Sequence, residues 1–154
     1  MEPDNVQTDP GLEALRAHRA ELLESMRALE LALAFPATGR ENVWAERVTV
    51  ALVEIESDFA EHVQLTEGPE GLYRALLETA PHLANSVTRL TAEHAQIKDA
   101  IGHLLANEGR PVAHGEVDDI RESATTFLGR LSRHRQRGAD LVYEAYQTDI
   151  GGET

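Results

Sequence analysis

Leu83–Ile101 reads LANSVTRLTAEHAQIKDAI, and its Leu83, Val87, Leu90, His94, Ile97 and Ile101 are spaced alternately four and three residues apart. At about 3.6 residues per turn this spacing puts all six on one face of an α-helix. Five of the six are aliphatic and the sixth is an imidazole. Thr79-Ala80 precedes the helix, Pro81 starts it, and Glu108-Gly109-Arg110-Pro111 follows it, which bounds it at about Pro81 and Asn107.

The same periodicity recurs on both sides. A first helix starts near Asp9-Pro10, a cap residue followed by a proline suited to the first turn. It runs to about Phe35 and stops at Pro36-Ala37-Thr38-Gly39. A second starts near Glu41 or Asn42 and carries Trp44, Val48, Leu52, Ile55 and Phe59. Gly68-Pro69-Glu70-Gly71 interrupts it, and the pattern resumes at Leu72, Tyr73, Leu76 and Leu77, which reads as a kink or short break. After the long loop to Gly115, a last helix runs from about Val117 to Tyr146 and ends before Gly151-Gly152. No segment alternates apolar and polar residues as a strand would. Four amphipathic helices with mostly short connections predict an all-α, antiparallel up-down-up-down four-helix bundle over residues 9–147. Residues 1–8 are expected to form a disordered arm and residues 148–154 a flexible tail.

Composition narrows the function. The 154 residues carry 14 Lys plus Arg against 27 Asp plus Glu, a formal charge of −13. A chain this acidic lacks the basic face that phosphates or anionic lipids require, so neither nucleic acid nor membrane is an expected partner. The absence of cysteine excludes disulfides, iron–sulfur clusters and thiol catalysis. No apolar run approaches the ~18 residues of a membrane span. The beginning, MEPDNVQTDP, has no apolar stretch of the secretory kind, which predicts a soluble, cytoplasmic protein. No nucleophile elbow, phosphate loop or HExxH motif is present.

The histidines carry the functional signal. Of seven, His18, His62, His94 and His134 each fall on the apolar stripe of a different helix. His82 and His103 project away from it, and His114 lies in the loop. Each inward imidazole brings a donor and an acceptor into the core, and burying them unpaired costs roughly 1–3 kcal/mol apiece. A divalent metal offsets that cost, because neutral imidazole is a common metal ligand and bundle cores are where such sites are built. A polar hydrogen-bonded network is the other solution. The four rings reach one axial level only if the 68–71 break and the 107–115 loop absorb the differences in their distances from the helix ends.

Several other residues have two readings. Gly138, one turn beyond His134, fits either close helix packing or an opening beside the histidines. Tyr73 fits either core filling or hydrogen bonding to a ligand. The run His134-Arg135-Gln136-Arg137 reads as a solvated face, as do most of the acidic residues. Asp58 and Glu21 lie at the stripe's edge, where they could orient a histidine.

The order of these pieces resembles the hemerythrin superfamily, the HHE cation-binding domains. The likeness rests on Ala17-His18-Arg19 in the first helix and Phe59-Ala-Glu-His62 followed by Leu72-Tyr73 in the second. It continues in Arg89-Leu-Thr-Ala-Glu-His94-Ala-Gln-Ile97, and in Leu131-Ser-Arg-His134 followed by Leu141-Val-Tyr-Glu-Ala-Tyr146. The resemblance implies a non-heme iron site in the bundle core that handles a diatomic ligand such as O2 or NO, with His18, His62, Glu67, His94 and His134 as its metal ligands. The family pattern has a carboxylate four or five residues after the histidines of the second and fourth helices. Here those positions are Thr66 and Glu67, then Gly138 and Ala139. Where a second histidine would precede His94 by one turn, this chain has Leu90. Two adjacent cations need anionic bridges, so this depleted carboxylate set implies one iron ion rather than a di-iron pair. An iron-dependent oxygen-activating enzyme, and a metal-free interaction bundle with a buried histidine network, are the two other functions the residues allow.

Overall fold

The computed structural model describes residues 10–106 and 108–151. Four long helices, α1 (Pro10–Ala34), α2 (Glu41–Glu67), α4 (Ala84–Leu105) and α5 (His114–Gly151), form the bundle. A short helix, α3 (Leu72–Thr79), and a 3-10 turn (Pro81–Leu83) connect α2 to α4. Consecutive long helices pack antiparallel, α1 on α2, α2 on α4 and α4 on α5, and no strand occurs among the described residues. The all-α four-helix architecture read from periodicity is therefore observed. The arm expected over residues 1–8 and the last residues of the expected tail lie outside the described residues.

The helix ends have physical causes. Pro36 lacks the N–H that would continue α1. Arg121 of α5 closes that end instead, donating from Nε to the Leu33 carbonyl and from Nη2 to the Phe35 carbonyl, each at 2.9 Å. α5 begins at His114, three residues before the expected Val117. Its start is tied to α2: the Val112 N–H donates to Asn42 Oδ1 at 2.9 Å, and His114 Nδ1 lies 3.3 Å from Glu41 Oε1. Without a proline after Tyr146, α5 continues to Gly151.

The break after α2 is complete, so α3 is a helix of its own. Gly68 donates to the Gln64 carbonyl at 3.0 Å, and Gly71 donates to the Gly68 carbonyl at 2.8 Å. A Cβ on Gly68 would lie 2.4 Å from the Gln64 carbonyl oxygen, and one on Gly71 would lie 2.6 Å from that of Thr66. The turn is tight enough to need glycine at both positions.

The apolar core is in two blocks. The larger draws on all four long helices, including Leu22, Leu29, Trp44, Ile55, Phe59, Ile97 and Leu131. The smaller, around Tyr73, Leu76, Leu83, Val87, Leu90 and Leu141, is built from α3, the 3-10 turn, α4 and α5. Along α4 the division falls between Leu90 and Ile97, and along α5 between Leu131 and Leu141. The inward histidines lie in that gap. No helix among the described residues is long and apolar enough to cross a membrane.

Candidate metal centre

Periodicity delivers four imidazoles to one layer, one from each long helix. His18, His94 and His134 are buried, and His62 is partly so. The axial differences are absorbed as required: α2 stops five residues past His62, and α3 lets the chain turn back so that His94 arrives at the same height.

Three rings converge. Among the described residues, His62, His94 and His134 each offer a nitrogen within 4.8 Å of the others. His62 Nε2 and His134 Nε2 are 3.3 Å apart, and the His94 and His134 ring centroids are 4.8 Å apart. Phe59, at the top of the larger block, floors the cluster, with its ring 5.6–6.2 Å from the three imidazoles. Tyr73 covers the other side. Its ring stacks on His94 at 5.9 Å and its hydroxyl lies 3.4 Å from His94 Nε2.

Two of the three rings are held from behind by carboxylates. His94 Nδ1 is 2.7 Å from Glu67 Oε2, and His134 Nδ1 is 2.8 Å from Glu93 Oε1. Arg137 Nη1 donates to the other oxygen of Glu93 at 2.6 Å. An imidazole that donates Nδ1–H to a carboxylate presents its Nε2 lone pair inward, which is how proteins orient metal-binding histidines. Burial, reinforced by the surrounding His94, His134 and His18, pushes His62 down to about 3. Burial also lowers His134, against the pull of Glu93. The neutral form, the one that binds metals, is thus favoured. Burial raises the Tyr73 phenol, which keeps it a neutral donor.

The expected ligand set separates into three roles. His62, His94 and His134 form the converging group. Glu67, which a regular helix would point away from the layer, sits at the last turn of α2 and contacts the back of His94. His18 stacks on His62 with ring centroids 6.0 Å apart, but one of its nitrogens groups with Glu21 and Glu61. Asp58 is paired with the Ser25 hydroxyl. Arg137 belongs to the site through Glu93, and Arg135 donates to the Arg19 carbonyl at 3.3 Å. His82 and His103 are exposed, as expected. At Gly138 an added Cβ would meet nothing within 4 Å, so close helix packing does not explain that glycine.

No family model, curated protein or solved structure matches this chain. Its chemistry therefore rests on its own side chains. A buried histidine triad that could bind a metal is present in a four-helix protein.

The inward nitrogens can serve one another or a metal. With Nδ1–H of His134 committed to Glu93, its Nε2 is an acceptor, and His62 can donate to it from Nε2. That leaves His62 Nδ1 without a hydrogen-bond partner, and it is among the buried unpaired atoms. Three imidazoles with further positions free match the pattern of metal sites that accept an outside ligand.

Proposed function

We propose that the protein is a hemerythrin-like non-heme metal protein that holds one divalent ion, iron foremost, in its core and binds or senses a small ligand such as O2 or NO there. The supporting observation is the convergence of His62, His94 and His134 from three helices, two of them braced at Nδ1 by carboxylates. In this reading the three imidazoles hold the ion through their inward nitrogens, and Glu67 and Glu93 fix the orientation of His94 and His134. A bound divalent ion supplies Lewis acidity and, if redox-active, electron exchange with the ligand. Phe59 keeps the floor dry. Tyr73 offers a neutral O–H donor toward a polar ligand beside His94. A cavity of about 430 Å³ bordered by Glu67, Tyr73 and Val87 provides the approach.

A metal-free histidine network is the second reading, favoured by the 3.3 Å approach of His62 to His134. His62 Nδ1 and both His18 nitrogens stay unpaired in either reading, so the two differ in what the inward Nε2 atoms serve. Elemental analysis of protein purified without added metal separates the two, followed by a visible spectrum with and without azide. The metal reading expects iron near one equivalent and an azide-sensitive charge-transfer band, both lost in His94→Ala/His134→Ala. Metal-free protein whose thermal stability ignores both chelator and added Fe2+ would rule it out.

A further inference from the structure

His18 is the best-buried imidazole that the core triad does not use. It is 2% exposed, and neither Nδ1 nor Nε2 has a hydrogen-bond partner. Glu61 Oε2 lies 3.5 Å from Nδ1, too far for a well-formed hydrogen bond. Glu21, one turn along α1, brings a second carboxylate to the same place. One ligand atom from each of His18, Glu21 and Glu61 lies within 4.8 Å of the other two. We propose that this seam between α1 and α2 is a second cation site, which takes a divalent transition metal on His18 Nδ1 and the carboxylates of Glu21 and Glu61.

Two difficulties of the metal-free arrangement disappear together if a cation sits there. The buried Nδ1 gains a partner, and the two carboxylates, exposed but drawn close, gain a counter-charge between them. The donors also choose the ion. One imidazole and two carboxylates suit Zn2+, Mn2+ or Fe2+, whereas Ca2+ and Mg2+ take oxygen ligands. The side chain of Glu61 is 58% exposed, so the site opens to solvent, unlike the triad enclosed between Phe59 and Tyr73. Glu61 and His62 are neighbours on α2 but point about 100° apart around the helix, which directs one outward and the other inward. The two sites share no ligand, so the second stands or falls apart from the first.

Zn2+ titrated into the chelator-stripped full chain tests this, with calorimetry and elemental analysis after desalting as the readouts. Wild type is expected to hold two Zn2+ per chain, Glu21→Gln/Glu61→Gln one, and His94→Ala/His134→Ala one. Both glutamates are exposed, so their variant should keep the wild-type circular dichroism spectrum. If it binds as many Zn2+ as wild type, the second site is overturned whatever the triad does. If wild type binds a single Zn2+ that Glu21→Gln/Glu61→Gln loses and His94→Ala/His134→Ala keeps, the second site stands and the core reading fails. No retained Zn2+ in wild type overturns both.

Discussion

The two apolar blocks flanking the histidine layer are built to different standards. The Trp44 end is closed by four continuous helices, and Leu29, Ile55, Ile97 and Leu131 within it are almost fully buried. The Tyr73 end has lost the continuity of α2 at Gly68 and relies on the eight-residue α3 and a 3-10 turn. Two cavities, of about 430 and 770 Å³, lie at this end, the larger lined by Leu15, Gly68, Leu72, Leu76 and Val142. One block therefore holds the bundle together, and at the other a cavity comes up to Glu67 and Tyr73, which contact His94. Local stability and accessibility trade against each other along one bundle axis.

Truncating a buried aliphatic side chain at each end tests this contrast most strongly. Ile55→Ala should cost about 3–5 kcal/mol, because the packed surroundings cannot collapse onto the cavity. Leu76→Ala should cost only about 2 kcal/mol, because α3 borders existing cavities and can shift. Urea unfolding measures both, and equal losses would remove the distinction between the blocks.

Acid should attack the layer between them. His62 is held at about 3 in the folded protein against about 6.5 when unfolded. Between those values the unfolded chain binds more protons, so stability is fully present above about pH 6.5 and falls as the pH drops toward 3. The loss should be on the order of 3 kcal/mol in chelator-treated protein. His62→Phe should flatten that slope. A wild-type stability that stays level from pH 7 to 4 would contradict the burial assigned to this ring.

How much of this was legible beforehand follows from the range of each rule. Helical periodicity acts within one helix, and it placed His18, His62, His94 and His134 on inner faces correctly. It could not place Glu93. That residue adjoins His94 and so points about 100° off the inner stripe, yet it reaches His134 on the next helix. The clue was present as a Glu-His pair facing the basic Arg137 of the following helix, but only knowledge of which helix edges meet gives it meaning. Glu67 lies beyond the reach of periodicity for the opposite reason. Its direction depends on where α2 ends, and helix ends are set by the Gly68 and Gly71 close approaches rather than by periodicity. For His18 a helical wheel gives direction without depth. Its Nδ1 lies 3.5 Å from Glu61 Oε2, off the inner stripe of α2.

Glu93→Gln probes the cross-helix contact directly. The amide keeps the volume but loses the charge that orients His134 and pairs with Arg137. Metal affinity of the core triad should fall 10–100-fold, the usual effect of losing a carboxylate behind a metal-bound histidine. Competition against a chelator of known affinity measures it. Glu67→Gln should act similarly through His94, and a variant pair with unchanged affinity would remove both glutamates from the site.

The smallest expected effect separates stability from access at one position. Gly138 lies on α5 one turn past His134, between the two blocks, and a methyl group there meets nothing within 4 Å. Alanine restricts the unfolded chain more than glycine does and favours the helix, so Gly138→Ala should stabilise the protein by about 0.5–1 kcal/mol. If the open space serves only as slack, metal content and azide binding will be those of wild type. If it admits ligand to the histidine layer, the same substitution will raise the melting temperature and weaken azide binding together. A destabilised variant would mean that the glycine is held against a neighbour after all, and the opening at this level of the bundle would have to be abandoned.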